Sequence, residues 1–342
     1  KETEDCVSLT FDIPDNLKNE FNFSCGQYLT LENKINGENV RRAYSLCSTP
    51  NEGIHKVAIK KIKDGVFSSF ANDHLKKGDL LRVMKPMGNF TLSTNRSNQK
   101  NYVFYAAGSG ITPILSMIKS VLLSEPKSCV TLFYGNKGFS SIIFREELES
   151  LKNKYLEQFR MVHVFSKENI GNTIQQGRID KEKNDAFLQT FLKNENIDGV
   201  YLCGPESMIK DVSESFTNHG VNKDKIHFEL FTSSSSKKAS KTKNTKQKSF
   251  DSLVTIQIDG DSFDLEMKSD GENILDVAQK NGADLPFACK GGVCCTCKAK
   301  VLKGKVSMEV NYALDADEVE DGYVLTCQSH PQTKEVLISF DD

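Results

Sequence analysis

Apolar and polar residues alternate with a period near two along the first hundred residues. Turn-forming Gly, Pro and Asn residues separate the alternating stretches, which are CVSLTFDI, QYLTLEN and HKVAIKKI. A period of two places successive side chains on opposite faces of a strand, so each stretch predicts a half-buried β-strand. Consecutive strands joined by turns predict an antiparallel barrel or sandwich, which we assign to residues 1–98.

The pattern changes over residues 99–232, where short apolar runs alternate with stretches of helical spacing. YVFYAA, CVTLFYG, FRMVHVF and DGVYLCG are typical of buried strands, and ITPILSMIKSVLL, IIFREELESL and PESMIKDVSESFTNHG are typical of amphipathic helices. Strands that alternate with helices predict an α/β domain with a parallel sheet and crossover connections.

Residues 250–342 show a third pattern. LVTIQIDGDSFDLEM predicts two strands joined at Asp259-Gly260, and a short helix follows near Asn273 to Lys280, with Gly282 just past its end. A cysteine-rich loop and two more short strands complete this predicted α+β domain.

The segment SSSSKKASKTKNTKQKS, residues 233–249, separates the second pattern from the third. It contains six Ser and six Lys residues and neither an acidic nor an aromatic residue. Because its lysines repel one another, it predicts an extended, flexible linker. A nucleic-acid tether is the alternative, but the flanking segments offer no basic, aromatic surface on which bases could stack.

Charge is distributed unevenly along the chain. The net charge of the 342 residues is −2, yet from position 250 onward 18 Asp and Glu residues oppose eight Lys residues. An acidic C-terminal domain argues against nucleic-acid binding and for a partner with a basic surface. No apolar run reaches the ~20 residues that a membrane-spanning helix needs, so we expect no membrane association.

The ten cysteines fall into two groups. Five are scattered singly between Cys6 and Cys203, which is typical of a reducing compartment and predicts a cytoplasmic protein without a disulfide framework. No secretory signal is visible, although the chain starts at Lys1 and an upstream segment can be missing. The other five lie near the C-terminus and are typical of a metal site.

The C-terminal group has a recognisable spacing. C-x4-C-x2-C, followed at a distance by a single cysteine, occurs at Cys289, Cys294, Cys297 and Cys327. This is the spacing of plant-type 2Fe-2S sites, in which four thiolates hold two irons. Gly291 and Gly292 would permit positive φ and a close approach of backbone N–H groups to the sulfurs. The alternatives are zinc, which would need a second cysteine pair, and unligated thiols.

Cys295 fits none of these positions, because its ligation would require gaps of five residues and of one residue. We interpret it as a small residue tolerated in a crowded loop. A redox role or a role as an alternate ligand is the competing hypothesis.

Two motifs follow buried strands of the α/β segment. AAGSGITP places a glycine turn before a helix, where phosphate oxygens can approach backbone N–H groups. Its candidate residues are Gly108, Ser109, Gly110, Thr112 and Pro113. CGP, residues 203–205, ends another strand at the edge where a parallel sheet opens its ligand crevice. The alternatives are an ordinary strand–helix turn and, for Cys203, a core thiol.

Two weaker motifs lie in the first domain. RAYS, residues 42–45, lies between two strands, and GVFSSF begins at Gly65. Arginine can neutralise a phosphate, tyrosine can pack on an aromatic ring, and serine can bond a heterocycle. Backbone N–H groups and hydroxyls of GVFSSF can meet a diphosphate, although both motifs are also compatible with plain turns.

Motifs for hydrolysis and phosphoryl transfer are absent from the sequence. The six histidines form no pair at i,i+4 spacing, and neither G-x-S-x-G, a P-loop nor H-E-x-x-H occurs.

The order of the motifs is more informative than any one of them. Arg-x-Tyr-Ser, Gly-x-x-Ser, G-x-G-x-x-P, Cys-Gly-Pro-x-x-Met and the cysteine loop follow one another along nearly the whole chain. In this order they resemble the ferredoxin–NADP⁺ reductase-type oxidoreductases with a C-terminal plant-type ferredoxin domain. The resemblance implies an antiparallel β-barrel flavin domain, an α/β nucleotide-binding domain and a β-grasp ferredoxin domain.

Within that family, KGGVCCTCKAKVLKGKVSMEVNYAL and EVEDGYVLTCQSHP are most similar to reductase subunits of phenylacetyl-CoA epoxidases. Reductases of steroid and aromatic-ring oxygenases share the architecture and are the alternative. The implied partner is the set of subunits of a multicomponent oxygenase.

The resemblance also implies roles for individual residues. Tyr44 and Ser45 would lie near the isoalloxazine of FAD and Arg42 on its diphosphate. The diphosphate-binding turn would be Gly65 and Val66 with either Ser68 or Ser69. The stretch FSCGQYLTL has Cys25 where proline is usual, which should loosen that turn. The nicotinamide side would be formed by Cys203, Gly204, Pro205 and Met208.

The type of pyridine nucleotide depends on YGNKGFSSIIFREEL. No Asp or Glu follows Tyr134-Gly135 to bond a ribose 2′-hydroxyl. Candidates for a 2′-phosphate site are Lys137, Ser140, Ser141 and Arg145. We therefore expect NADPH, with NADH as the alternative. Arg145 could instead pair with Glu149, four residues along its own predicted helix.

Together these expectations describe an electron relay from NADPH to FAD, then to a 2Fe-2S cluster, then to an oxygenase. Flavin links a hydride donor to a one-electron acceptor. Two other hypotheses are a redox sensor whose cluster controls binding, and a self-sufficient oxidase that produces superoxide or peroxide.

Overall fold

The structure, a computed structural model, describes residues 1–231 and 249–341. They sort into two units: residues 1–40 and 44–231 form the first, and residues 249–341 together with residues 41–43 form the second. The predicted linker, residues 233–249, lies outside the described residues except for Ser249. In the described ranges, no helix combines the length and the apolar character needed to cross a lipid bilayer.

The N-terminal part of the first unit consists of short antiparallel strands around one core. Its elements are β1 (Cys6–Phe11), β2 (Tyr28–Ile35), β3 (Glu38–Ser45), β4 (His55–Lys60), α1 (Val66–Asp73) and β5 (Arg82–Val83). β1 pairs with β4, β2 lies between β3 and β5, and a bridge from Leu46 to Val57 joins the two sheets. Leu29, Leu31 and Phe67 are buried together, as a period of two predicts for β2.

Two motifs of this region differ from their predicted local structure. RAYS does not lie between two strands but forms the end of β3. GVFSSF is not an open turn, because Gly65 precedes α1 and the other residues form its first turns. Phe67 and Ala71 are both buried at i,i+4 spacing, which favours the helix because it places them on one face.

The second part of the first unit is a five-stranded parallel sheet with helical crossovers. Its elements are β6 (Asn101–Ala107), α2 (Ile111–Ser124), β7 (Cys129–Asn136), α3 (Arg145–Lys154), β8 (Phe159–Phe165), α4 (Lys181–Thr190), β9 (Gly199–Gly204), α5 (Glu206–Asn218) and β10 (Ile226–Leu230). The strand order is β10-β9-β6-β7-β8. The predicted parallel sheet is confirmed, and α4 and β10 are additional elements. Because the strands are parallel, their carboxyl ends meet at one edge.

The second unit contains a mixed sheet, a two-stranded sheet and two short helices. Its elements are β11 (Asp251–Ile258), β12 (Asp261–Lys268), α6 (Ile274–Lys280), β13 (Lys298–Lys303), β14 (Val306–Met308), α7 (Ala316–Glu320), β15 (Tyr323–Leu325), β16 (Ser329–Pro331) and β17 (Glu335–Ser339). The larger sheet has the order β12-β11-β17-β13-β15, and β14 pairs with β16.

Local signals in this unit behave largely as predicted. Asp259 and Gly260 both have positive φ (53° and 79°) in the turn between β11 and β12, as a two-residue hairpin requires. Asn273 caps α6 by accepting a hydrogen bond from the backbone N–H of Asp276 at 2.9 Å. The prediction of only two strands after the cysteine loop was wrong, since five follow it. Three of these have only three residues, too few for a clear alternating pattern.

Candidate cofactor sites

The flavin motif and the CGP motif meet through a residue that sequence analysis missed. Ser45 Oγ, at the end of β3, donates a hydrogen bond to Glu229 Oε2 in β10 at 3.1 Å. Glu229 is also the strand neighbour of Cys203 in β9. Cys203 is fully buried, and burial together with the charge of Glu229 raises the pKa of its thiol.

The carboxyl of Glu229 is well placed to hold a proton. Burial raises the pKa of Glu229 to about 8, although the hydrogen bond from Ser45 acts in the opposite direction. Folding therefore favours the protonated form of this carboxyl. Its only sequence signal was a single acidic residue within the apolar run IHFEL.

The other predicted flavin residues lie around Ser45 and the start of α1. The Tyr44 ring packs on Phe67, with centroids 5.7 Å apart, and the Arg42 side chain is exposed. No side chain caps α1, so its first backbone N–H groups remain available to a diphosphate. A Cβ at Gly65 would lie 2.4 Å from Ser68 Oγ, which explains the glycine. These donors fit FAD.

Ser68 and Ser69 have different surroundings. The buried Ser68 hydroxyl donates to the Gly65 carbonyl at 3.2 Å and accepts from the Ile62 N–H at 3.3 Å. It closes its own turn, whereas Ser69 is only partly buried. Of the two, Ser69 has the hydroxyl that is less committed to the local fold.

A cleft of about 410 Å³ opens at the carboxyl edge of the parallel sheet. On the side of β6 and β9 it is lined by Gly108, Ser109, Pro205 and Met208, all predicted from the sequence. On the side of β7 and β8 it is lined by Asn136, Lys137, Ser141, Ser166 and Arg178. Lys60 of β4 also reaches it, and among the described residues no carboxylate lines it. A cleft lined by cationic side chains and no carboxylate suits a dinucleotide with its phosphates.

The remaining predicted residues of this edge lie behind the cleft and shape it. Gly110, Thr112 and Pro113 are buried, and Thr112 Oγ1 donates to the Ser109 carbonyl at 3.0 Å. A Cβ at Gly110 would lie 2.1 Å from the Cys203 carbonyl oxygen. Gly110 is therefore required for α2 to begin against β9.

Gly204 has a similar packing role. A Cβ there would lie 2.5 Å from Met208 Cε and 3.1 Å from Ala107 Cβ. Tyr134 fixes the opposite side of the turn, because its hydroxyl donates to the Gly108 carbonyl at 3.0 Å.

Arg145 pairs with Glu149 of its own helix, as the alternative to a 2′-phosphate contact predicted. Its guanidinium lies 4.6 Å from the centre of the Phe139 ring, and its Nε lies 4.0 Å from Glu149 Oε1. Arg145 is not one of the described residues that line the cleft. Arg178, which sequence analysis missed, does line it, next to Gly177, whose N–H bonds the Phe165 carbonyl at the end of β8.

In the second unit, the four spaced cysteines come together. Side-chain hydrogen bonds link Cys289 with Cys294 and Cys327, and Cys297 with Cys327. They lower the pKa of the Cys289 and Cys297 thiols. None of the cysteines in the described residues forms a disulfide. Four neighbouring thiols fit the ligand set of a 2Fe-2S cluster.

The backbone around these sulfurs explains their placement. The Gly291 N–H donates to Cys289 Sγ at 3.3 Å. Positive φ occurs at Lys290 (52°) and Gly292 (70°) and not at Gly291, so the N–H contact expected of Gly291 is present without the positive φ. A Cβ at Gly292 would lie 2.9 Å from the Val310 carbonyl oxygen. The Thr326 N–H and hydroxyl both bond the Cys297 carbonyl and bring Cys327 to the loop.

Single-metal geometry is not found here. Among the described residues, no three His, Cys, Asp or Glu side chains converge on one metal position. A two-iron cluster spreads its four cysteines over two irons, so that convergence is not required. Cys295 is buried in the same loop, and its carbonyl accepts from the Lys298 N–H at 3.0 Å, at the start of β13.

Comparison with known proteins gives the same three parts in the same order. Residues 1–92 match the oxidoreductase FAD-binding domain, residues 104–214 the oxidoreductase NAD-binding domain, and residues 256–332 the 2Fe-2S iron-sulfur cluster binding domain. The chain is 41% identical to a subunit of the 1,2-phenylacetyl-CoA epoxidase of Escherichia coli K12, over 99% of this chain and 95% of that protein. The chain is a ferredoxin–NADP⁺ reductase-type oxidoreductase with a C-terminal 2Fe-2S domain.

Other relatives of this oxidoreductase agree with that family. It is 32% identical to the ferredoxin reductase component of the 3-ketosteroid-9-alpha-monooxygenase of Rhodococcus rhodochrous, over 99% of this chain and 94% of that protein. The fold is also similar to that of the solved structure of phthalate dioxygenase reductase. The match covers 99% of this chain and 95% of the reductase chain, with 24% identity and a TM-score of 0.58. The predicted fold class and the predicted reductase activity, from a pyridine nucleotide through FAD to a 2Fe-2S cluster, are confirmed.

Proposed function

We propose that this oxidoreductase carries electrons from NADPH to the oxygenase component of a phenylacetyl-CoA epoxidase. The observation that carries the electron relay is the meeting of Ser45, Glu229 and Cys203, which joins the flavin motif to the CGP motif. Bound FAD would supply the chemistry that links a hydride donor to a one-electron cluster. The protein's own residues bind, orient and hold a proton around it.

Arg42 and the first N–H groups of α1 would neutralise the FAD diphosphate, and Tyr44 and Ser45 would line its ring. Because burial raises the pKa of Glu229 and Ser45 bonds its carboxyl, Glu229 would hold a proton near the ring. The pair would also orient the nicotinamide side formed by Cys203, Gly204, Pro205 and Met208.

For the nucleotide, we assign the 2′-phosphate to Lys137, Ser141 and Arg178. They lie on the β7 and β8 side of the cleft, away from the strand that carries Cys203. The absence of a carboxylate from the described lining favours NADPH over NADH, because an acidic side chain would bond a 2′-hydroxyl and repel a phosphate. Lys60 and the Gly108–Ser109 turn would meet the diphosphate.

The electron exit would be the cluster held by Cys289, Cys294, Cys297 and Cys327. Residues 309–321, which we call the acidic face, contain six acidic residues and no Lys or Arg. They are tied to the cluster loop because the Tyr312 N–H bonds the Gly292 carbonyl at 2.9 Å. Tyr312 and Val319 on this segment are exposed. We assign the acidic face to docking on a basic surface of the oxygenase.

The epoxidase is preferred because the 41% identical relative is a component of such an enzyme. A steroid or ring-hydroxylating oxygenase is the second candidate, since a 32% identical relative serves a ketosteroid monooxygenase. The cytoplasm, where NADPH is supplied and thiols stay reduced, is the proposed location.

The test is an anaerobic titration of the full chain with NADPH, followed by turnover with purified oxygenase components. NADPH should bleach flavin and cluster absorbance together, and phenylacetyl-CoA should be consumed with the epoxidase oxygenase but not with a steroid oxygenase. Purified protein without flavin would refute the relay. Bleaching without turnover of phenylacetyl-CoA would refute only the partner.

A further inference from the structure

Helix α2 starts at the nucleotide-binding turn and carries a buried lysine that joins the two halves of the first unit. Lys119 Nζ lies 2.5 Å from Glu52 Oε1 and 2.7 Å from Glu147 Oε1. Glu52 belongs to the single turn of residues 50–52 that follows the flavin strand β3, and Glu147 belongs to α3. The Lys119 side chain is only 10% exposed, so water screens these contacts weakly.

The ion pairs extend beyond Lys119. Glu147 also lies 3.8 Å from Lys56 Nζ in β4, and Lys56 lies 3.6 Å from Glu2. The second oxygen of Glu52 accepts a hydrogen bond from the Thr49 N–H at 2.8 Å. Burial by itself lowers the pKa of Lys119, but the hydrogen bonds and charges of Glu147 and Glu52 together raise it. The lysine is therefore charged.

A second contact holds α2 to the same segment one turn earlier. Ser116 Oγ donates to the Ser48 carbonyl at 2.5 Å, and Ser120 Oγ donates to the Ser116 carbonyl at 2.8 Å. Ser48 is only three residues past Ser45. At its other end, α2 packs so closely on Cys203 that position 110 has no room for a Cβ. One rigid helix thus connects the chain beside Ser45 with the strand end that carries Cys203.

We propose that Lys119 is a positioning residue for hydride transfer, which holds α2 against residues 48–52 and so sets the distance between the flavin strand and the nicotinamide side. The inference rests on the proposed positions of flavin and nicotinamide. A buried ion pair often adds little net stability compared with an apolar replacement. Geometry is the property it can supply, because a misplacement of about 1 Å at the reacting atoms can cost about 10²-fold in rate.

The test compares Lys119→Met, Lys119→Arg and Lys181→Met in the full chain. Lys181 pairs with Glu214 at 2.6 Å on the surface between α4 and α5, so its removal breaks an ion pair that does not reach residues 48–52. Anaerobic stopped-flow reduction of the flavin gives a limiting rate and a Kd for the nucleotide. We expect K119M to lower the limiting rate about tenfold or more. Its Kd should change little, because Lys137 and Arg178 are untouched.

Amide hydrogen exchange supplies a readout independent of turnover. Residues 49–53 should exchange faster in K119M, since Glu52 loses its anchor, and K119R should restore both exchange and rate. K181M should leave both unchanged. If K119M does not fold, Ser116→Ala removes only the bond to Ser48 and should lower the limiting rate by a smaller factor.

Three results would overturn the inference. The first is a wild-type limiting rate in K119M, or in S116A if K119M does not fold. The second is a K119R variant whose limiting rate is as low as that of K119M. The third is a K181M variant whose limiting rate falls as much as that of K119M. If neither NADPH nor NADH reduces the flavin of the wild-type chain, the proposed function fails and this inference fails with it. A normal wild-type rate with an unchanged variant rejects the positioning role alone.

Discussion

Ser45 Oγ and Glu229 Oε2 lie 3.1 Å apart, and this hydrogen bond joins the flavin motif to the last strand of the parallel sheet. The two residues are distant in sequence, and nothing in the sequence around either of them predicts that they meet. Because Glu229 also neighbours Cys203, the bond links the two motifs on which hydride transfer would depend.

The first prediction concerns the stability of Glu229→Gln as a function of pH. The pKa of Glu229 is raised from 4.5 to about 8 on folding. The folded chain thus keeps a proton that the unfolded chain has released, and the associated stability is present below about pH 4.5 and lost as pH rises through about 8. Glutamine does not titrate. The difference in Tm between wild type and E229Q should therefore decrease as the pH is raised from about 4.5 to about 8. Tm curves that stay parallel over this range would contradict the raised pKa.

Ser45→Ala tests the direction of the hydrogen bond. The hydroxyl of Ser45 donates to the carboxylate and lowers the pKa of Glu229 against the effect of burial. Its removal should move the pKa of Glu229 higher, which infrared titration of the carboxyl band would detect. Ser120→Ala is the control, because that hydroxyl bonds the Ser116 carbonyl instead. A downward shift in S45A would show that the hydroxyl acts as an acceptor.

Arg178→Gln is predicted to lower the preference for NADPH. Loss of a charge-assisted bond to a phosphate costs ~1.5–3 kcal/mol, so KM for NADPH should rise about 10–100-fold. KM for NADH should change little, since NADH lacks the 2′-phosphate. Steady-state reduction of ferricyanide with both nucleotides measures this.

Arg145→Gln is the matched control for that experiment. Arg145 is close in sequence to Lys137 and Ser141, which line the cleft. Its own side chain packs on Phe139 and lies 4.0 Å from Glu149. It should leave both KM values near wild type. A rise in KM for NADPH in R145Q, with none in R178Q, would return the assignment to Arg145.

Local pattern predicted most of this fold because its signals are short in range. The hairpin at Asp259-Gly260 depends on two residues that accept positive φ, and the parallel sheet follows from alternating runs. The four cysteines were predicted as cluster ligands from their spacing alone. Gly110 and Gly204 were predicted as cofactor-binding residues from their motifs, and in the structure a Cβ would collide with backbone of Cys203 at Gly110 and with the Met208 side chain at Gly204.

The residues that sequence reasoning missed act across long separations. Glu229 and Arg178 meet their sites only after β10 and the chain after β8 are added to the sheet. Arg145 is partly buried and Arg178 is exposed, but the sequence alone cannot separate the two arginines. The structure separates them, because the Arg145 guanidinium packs on the Phe139 ring and does not line the cleft.

Cysteine substitutions test the cluster assignment. Cys294→Ser should lose most of the visible absorbance of the cluster, because Cys294 is one of the four spaced thiols and hydrogen-bonds Cys289. Cys295→Ser should keep the full absorbance, since Cys295 is buried beside the group without the required spacing. Iron content and absorbance of the purified variants decide the matter. Loss of iron in C295S with retention in C294S would reverse the roles of the two residues.

The last prediction concerns the acidic face. Glu320 and Asp321 are exposed at the end of α7, next to β15 and the turn that carries Cys327. Their joint replacement by Lys should weaken docking on a basic oxygenase, with KM for the oxygenase rising roughly tenfold at low ionic strength and less at high salt. Lysine at a helix C-terminus is also compatible with the helix dipole, so the fold should persist.

A matched control lies at the opposite edge of the same sheet. Asp261 and Glu266 are exposed on β12, and β15 is the other edge strand. Their joint replacement by Lys changes the net charge of the chain by the same amount. If docking depended on net charge alone, both double variants would raise KM for the oxygenase equally. Local docking beside the cluster requires that only the Glu320 and Asp321 variant does so, while reduction of the flavin by NADPH stays at the wild-type rate in both.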